Sequence, residues 1–270
     1  MARTQDLREK YGPWALVTGA SSGIGEQFAR LLAKSGINLL LVARRSDRLE
    51  NLARELSRRR RLEVQVFAAD LADPDAVDRI VAAIGERDIG LLVSNAGFGL
   101  KGGFTEAGRA RVEAMFNVNA RAPLMLAHAL LPRLRARGRG GIIFTGSVEG
   151  EAPYPWSVAY SATKAFVHSL GMGLYGELAG TGVDVLVLAP GATDTEALTL
   201  QGFKPGMMPN LMPAAEVAKQ ALRQLGRTPL HVPGSENRRQ VNAMRRMPRE
   251  KLIARNAAAM SAALAASRQG

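Results

Sequence analysis

Short, wholly apolar runs alternate with longer stretches in which apolar residues recur every three or four positions, from Trp14 to Pro233. Such runs read as strands buried on both faces, and the longer period reads as helices with one buried side. Trp14 to Thr18 is the first run. Gly23 to Ser35 is the first helix, with Ile24, Phe28, Leu31 and Leu32 facing inward. Further strands are predicted at Asn38 to Ala43, Glu63 to Ala68, Leu91 to Ser94, Gly141 to Thr145 and Val183 to Leu188. Helices are predicted at Ser46 to Arg60, Pro74 to Ile84, Thr105 to Arg137 with an interruption, Ser157 to Leu178 and Ala214 to Leu225. A short apolar run follows at Leu230 to Pro233. Repeated strand–helix–strand units build a parallel sheet with helices on both faces. One α/β domain over residues 1–270 is expected, with a loop-rich lid at about 196–213 and a C-terminal helical appendage over about 234–268.

Composition narrows the chemistry. Cysteine is absent, so disulfides and thiolate chemistry are excluded. His128, His168 and His231 stand far apart without ligand spacing, and no metal site is expected. No run approaches the length of a transmembrane helix, and the N-terminus lacks the apolar core of a signal peptide. A soluble, cytoplasmic protein is the expectation. The net charge of +12 gathers at Arg58 to Arg61, Arg133 to Arg139 and Arg238 to Arg255. Such clusters suit solvated helix ends, an anionic membrane surface or nucleic acid. They carry no interleaved aromatic residues on which bases could stack. In the appendage, Leu252, Ile253, Ala257, Met260 and Leu264 form a modest stripe beside Arg249, Lys251 and Arg255. Docking onto the body or a neighbouring subunit is the expectation there, with peripheral membrane contact as the alternative.

Three constellations carry candidate chemistry. Gly19, Gly23 and Gly25 lie in Thr18-Gly19-Ala20-Ser21-Ser22-Gly23-Ile24-Gly25, between the first strand and first helix. Glycines there let the backbone turn tightly and let a pyrophosphate approach the helix N-terminus. The second strand ends in Val42-Ala43-Arg44-Arg45, with no carboxylate to hold an NAD ribose. Arginine suits the additional phosphate of NADP(H), which leaves NAD(H) as the lesser expectation. Tyr160 and Lys164, four residues apart on a helix, share one face with Cβ atoms about 5–6 Å apart. An ammonium that close to a phenol favours the phenolate, making it a usable acid or base. Ser147 lies upstream. Pro123 lacks the N–H that would bond the Asn119 carbonyl, which predicts a helix interruption there and a carbonyl free to hold a water.

Taken together, these residues resemble the classical short-chain dehydrogenase/reductase family, over Trp14 to roughly Pro233. Thr18 to Gly25 matches its glycine motif, which places Gly19, Ser21, Ser22, Gly23, Ile24 and Gly25 around the cofactor phosphates. Asp70, followed by Leu71, matches the residue that contacts adenine, and Asn95-Ala96-Gly97 the segment beneath the cofactor. Asn119, Ser147, Tyr160 and Lys164 match the four catalytic positions. Pro190-Gly191-Ala192-Thr193-Asp194-Thr195 matches the segment closing over nicotinamide, with Thr195 at a phosphate contact. Tyr11-Gly12-Pro13-Trp14 and the stretch Tyr160 to Val167 resemble the branch of long-chain 3-ketoacyl-CoA and hydroxysteroid reductases.

The resemblance implies a Rossmann-type doubly wound fold and reduction of a carbonyl by NADPH. Tyr160 would be the proton donor, with Ser147 on the carbonyl oxygen. Lys164 would lower the Tyr160 pKa and hold the nicotinamide ribose, and Asn119 would position a relay water. It also implies a homodimer or homotetramer built on the Asn119 and Tyr160 helices, where Leu124, Leu126, Leu130 and Leu131 are apolar. Leu198, Leu200, Phe203, Met207, Met208, Leu211 and Met212 in the lid suit either core packing or a hydrophobic carbonyl substrate. Two alternatives remain: an NAD-dependent alcohol dehydrogenase of the same fold, and a non-catalytic dinucleotide-binding regulator that contacts nucleic acid.

Overall fold

The computed structural model describes residues 2–59, 62–200 and 211–269. The chain runs α1 (Ala2–Tyr11), β1 (Trp14–Thr18), α2 (Gly23–Lys34), β2 (Asn38–Ala43), α3 (Ser46–Arg59), β3 (Val64–Ala68) and α4 (Ala76–Ile84). Next come β4 (Ile89–Ser94), α5 (Arg109–Phe116), α6 (Ala122–Arg137), β5 (Gly140–Thr145), α7 (Val158–Glu177) and β6 (Val183–Leu188). It continues through β7 (Thr193–Asp194), α8 (Glu196–Leu200), β8 (Met212–Pro213) and α9 (Ala214–Gln224). The end is β9 (Leu230–His231), α10 (Ser235–Arg245) and α11 (Arg249–Gln269).

The main sheet has seven parallel strands in the order β3-β2-β1-β4-β5-β6-β9. β1, β4 and β5 are buried along their whole length, which is why they read as uninterrupted apolar runs. Two apolar layers sandwich the sheet, in the doubly wound Rossmann manner. One packs Phe28, Leu32, Leu49, Leu52, Val217 and Leu222 of α2, α3 and α9 against it. The other packs Ile80, Leu126, Leu130 and Val167 of α4, α6 and α7. Strand order reverses between β1 and β4, and ligands bind at such a switch point beyond the carboxyl ends of the strands.

Several elements differ from the expectation. α1 escaped the sequence reading because it is almost wholly polar. It is anchored at its end, where buried Tyr11 donates its hydroxyl to Asp184 and Lys10 pairs with the same carboxylate at 2.6 Å. The expected interruption before β5 is a π turn over Asn117–Arg121, in which the Ala122 N–H bonds the Asn117 carbonyl. Pro123 has no N–H to offer, so the hydrogen-bond ladder changes register just before it. The stretch expected to form a lid begins with the short α8, and the β7–β8 pair brackets it. Phe203, Met207 and Met208 lie outside the described residues. α10 and the start of α11 dock on the body, where Val241, Met244 and Leu252 pack with Ala152, Ala189 and Val232. Of the stripe, Leu252 is buried, whereas Ile253 is 40% exposed.

Candidate active site

The glycine loop is shaped by its backbone. Gly19 and Gly23 have φ of 67° and 57°, which side-chain-bearing residues rarely adopt. At Gly25 the requirement is space: a Cβ would stand 2.2 Å from the Gly19 carbonyl oxygen and 2.6 Å from Asn95 Nδ2. Thr18 fastens this loop to the end of β4. Its Oγ1 accepts from the Asn95 and Ala96 N–H groups at 3.0 and 3.1 Å, and its carbonyl accepts from Asn95 Nδ2 at 3.2 Å. Thr195 closes the loop from the other side, since a Cβ on Gly23 would stand 2.9 Å from Thr195 Cγ2. Gly191 lies against Asn237 of α10, whose side chain a Cβ would meet at 2.6 Å.

Arg45 reaches back into this loop. Its Nε and Nη2 donate to Ser21 Oγ at 3.2 and 3.0 Å, and Nη2 also donates to Ser22 Oγ at 2.8 Å. Its Nη1 holds Glu196 of α8 at 2.8 Å, and Arg48 pairs with the same carboxylate. Both arginines hold the Glu196 carboxyl below its usual range. Arg44 stands 3.9 Å from Asp70, both side chains largely exposed. Asp70 also accepts the Ala72 N–H at 3.0 Å, while Leu71 is buried in the second apolar layer. Serine hydroxyls, two guanidinium groups and a helix N-terminus form a donor set that fits a phosphorylated dinucleotide.

Asn119, Ser147, Tyr160 and Lys164 are brought together. Asn119 is buried and its amide is fully engaged: Nδ2 donates to the Phe98 carbonyl at 2.9 Å and to Thr163 Oγ1 at 3.2 Å, and Oδ1 accepts the Phe98 N–H at 3.1 Å. Gly97 lies between Asn119 and Lys164, for a Cβ there would be 3.2 Å from both Asn119 Oδ1 and Lys164 Nζ. Lys164 donates to the Thr145 carbonyl at 2.8 Å, with Nζ 5.7 Å from the Tyr160 ring centroid. Burial pushes the Lys164 ammonium down to about 8, and the Glu149 charge opposes that shift. The Tyr160 phenol is pushed up by burial and by the Glu149 carboxylate, and a hydrogen bond with Ser147 pulls the other way. Spacing predicts the proximity of Lys164 and Tyr160; in this fold, burial governs the proton on both.

Two polar networks escaped the sequence reading. Lys101, between β4 and α5, is 3% exposed and donates to both Glu149 oxygens at 2.6 and 2.7 Å and to Ser157 Oγ at 2.7 Å. Its Nζ stands 4.8 Å from the Tyr160 ring centroid. The second network lies behind Ser147, whose N–H donates to His168 Nε2 at 3.4 Å. With Nε2 turned to that N–H, His168 Nδ1 faces Glu151 Oε1 at 3.4 Å. Arg245 of α10 grips the other Glu151 oxygen through Nε at 2.9 Å and Nη2 at 2.8 Å. Burial pushes the Glu151 carboxyl up, but its contacts with His168 and Arg245 outweigh that and hold it low. Charged residues in loops read as solvated, and nothing local reveals partners 48 or 94 positions away.

The profile described as short chain dehydrogenase matches residues 13–202. The chain belongs to this family. A 7beta-hydroxysteroid dehydrogenase of Clostridium sardiniense is 34% identical over 251 residues, covering 93% of this chain and 96% of that protein. The solved structure of a 7beta-hydroxysteroid dehydrogenase superposes with a TM-score of 0.86 at 31% identity, over 93% of this chain and 98% of that one. A short-chain dehydrogenase from Sphingobium yanoikuyae in complex with NADPH gives a TM-score of 0.79 at 34% identity, over 88% and 96% of the two chains. This short-chain dehydrogenase is thus an oxidoreductase of a family that uses nicotinamide dinucleotides, on its hydroxysteroid-reductase-like branch.

Proposed function

We propose that this short-chain dehydrogenase is an NADP(H)-dependent reductase of bulky apolar ketones, steroid-like or 3-oxoacyl compounds included. The observation that carries the reading is the convergence of Asn119, Ser147, Tyr160 and Lys164 beside the Gly19–Gly25 loop. Arg44, Arg45, Ser21 and Ser22 would hold the phosphates, with Asp70 and Leu71 near adenine. Asn95, Ala96, Gly97, Pro190, Gly191, Thr193 and Thr195 would line the rest of the cofactor site. Two guanidinium groups and no carboxylate at the end of β2 favour NADP(H) over NAD(H). When bound, reduced nicotinamide supplies the hydride.

The residues of the chain supply the rest. Tyr160 gives its hydroxyl proton to the carbonyl oxygen as charge develops there. Ser147, already hydrogen-bonded to Tyr160, donates to the same oxygen and stabilises it. Lys164 places a cation beside the phenolate left behind, and Asn119 fixes the Phe98 backbone and Thr163 next to it.

Exposed Phe104 and Trp156 stand on the segments after β4 and β5, beyond the carboxyl ends of the strands where substrate enters, and favour a bulky apolar ligand. Phe116, Leu124, Met125, Phe166, Met172 and Tyr175 are exposed on α5, α6 and α7, and support a homo-oligomer through that surface. Among the described residues no helix is long and apolar enough to cross a membrane. We read the whole chain, appendage included, as one catalytic unit. A panel of hydroxysteroid ketones, 3-oxoacyl thioesters and small polar aldehydes, followed by NADPH absorbance, tests the reading. Bulky ketones should be reduced with the highest kcat/KM, whereas preference for the polar aldehydes or for NADH would refute it.

A further inference from the structure

The Lys101–Glu149 ion pair has no place in the reaction as described, yet it lies against its central residue. Three segments meet there. Lys101 comes from the stretch after β4, Glu149 from the turn after β5, and Ser157 from the entrance to α7. Lys101 spends all three ammonium donors, on Glu149 Oε1 and Oε2 and on Ser157 Oγ. Ser157 in turn donates its hydroxyl to Glu149 Oε2 at 2.6 Å. The Gly102 N–H ties the first segment to the Trp156 carbonyl at 2.9 Å. The Glu149 N–H donates to Ser147 Oγ at 3.1 Å, so Glu149 contacts the site through both backbone and side chain.

Stability is a poor explanation for the pair. Lys101 and Glu149 have side chains only 3% and 17% exposed. Removing two charges from water costs about as much as their attraction returns, and apolar replacements are often neutral or stabilising. The location says more. Lys101 Nζ is nearer the Tyr160 ring than Lys164 Nζ is, at 4.8 against 5.7 Å. A cation over an aromatic face is attracted to it, and at this range in a buried site it favours the ionised phenol. The Glu149 carboxylate acts in the opposite sense on the same hydroxyl.

We infer that Lys101 and Glu149 are paired positioning residues that set how readily Tyr160 releases its proton, Lys101 favouring release and Glu149 restraining it. The inference rests on Tyr160 being the proton donor. The groups facing Tyr160 are Ser147 and Glu149 after β5, Lys101 after β4 and Lys164 on its own helix. Tyr154, on the same segment between β5 and α7 as Glu149, is itself pushed up to about 12 by burial and by the Glu149 charge. Because the two charges compensate, losing one should move Tyr160 further than losing both.

The test follows the pH at which alcohol oxidation by NADP+ reaches half its high-pH plateau, since that direction needs the phenolate. A second readout is tyrosinate absorbance of the protein saturated with NADP+, using Y160F to subtract the other three tyrosines. K101M should move both midpoints up, and E149Q should move both down, each by about one unit. K101M/E149Q should return within about a third of the larger single shift, and K101R should stay near wild type. Folding is checked for each by its melting transition, and the neutral double variant covers the case in which a lone buried charge unfolds the chain. Midpoints that stay fixed in all variants, or that move the same way in K101M and E149Q, would overturn the inference. Y160F separates the two claims. If it abolishes turnover while the midpoints stay fixed, only the role of the pair is lost; if it turns over normally, the proton-donor reading fails first.

Discussion

Arg45→Ala tests the proposed recognition of the NADPH phosphate. The guanidinium is already half-oriented, gripping Ser21 and Ser22 of the glycine loop through three hydrogen bonds while Nη1 holds Glu196 at 2.8 Å. A hydrogen bond from a cation to a charged acceptor contributes about 1.5–3 kcal/mol. Arg45 must loosen its grip on Glu196 to serve a phosphate, and an exposed ion pair of that kind is worth about 0–1 kcal/mol. The net loss on truncation is therefore about 1.5 kcal/mol, or roughly tenfold in dissociation constant. Exposed Arg44 retains a second cation nearby, which keeps the loss from being larger. Fluorescence titration of NADPH and NADH at fixed salt reads both constants. NADPH binding should weaken about tenfold and lose part of its salt dependence, with NADH changed by less than about twofold. Equal weakening of both cofactors would show that Arg45 merely supports the loop, and the phosphate reasoning would be refuted.

Other perturbations probe separate parts of the structure. Arg245→Met leaves the Glu151 carboxylate, 7% exposed, beside His168 alone, and should cost about 1–2 kcal/mol after allowing for the half-exposed arginine. Its melting temperature should fall by a few degrees and kcat should drop through the Ser147 backbone; an unchanged melt and kcat would show that α10 does not brace the site. Gly25→Ala drives a Cβ against the Gly19 carbonyl at 2.2 Å and should lower stability by about 1–3 kcal/mol and weaken NADPH binding, whereas a wild-type melt and titration would contradict the packing. Lys164 has its own pH signature in protein stripped of nucleotide. Its folded value of about 8 lies below the ordinary lysine value of 10.5, so between these the unfolded chain binds more protons and stability rises with pH. Denaturant unfolding between about pH 8 and 10 should show up to about 1.4 kcal/mol per pH unit that Lys164→Met lacks. Identical slopes in the two proteins would mean the ammonium is not desolvated.

Much of the frame was legible because burial on both faces leaves a clear imprint. β1, β4 and β5 are nearly continuous apolar runs, β6 is one after Asp184, and α2 and α9 carry periodic apolar faces. α1 left no such imprint, since its hold on the body comes from Tyr11 and Lys10 converging on Asp184, a contact 173 residues away for the tyrosine. The glycine loop, Tyr160 and Lys164 could be found because their chemistry demands fixed spacing within one element or turn. Lys101–Glu149 and Arg245–Glu151 could not, because an ion pair between segments far apart in the chain looks locally like two solvated charges. The dielectric was equally invisible. Four residues on a helix give the distance from Tyr160 to Lys164, but only the packed fold shows that burial raises the phenol and lowers the ammonium.

The most direct test of the account is the steady-state rate of NADPH-driven ketone reduction by Tyr160→Phe, measured beside its NADPH dissociation constant. A positioned general acid contributes about 10²–10⁴-fold, so kcat should fall at least about 100-fold while NADPH binding stays within about threefold of wild type. A variant that turns over at the wild-type rate with intact cofactor binding would contradict the central claim that this hydroxyl delivers the proton.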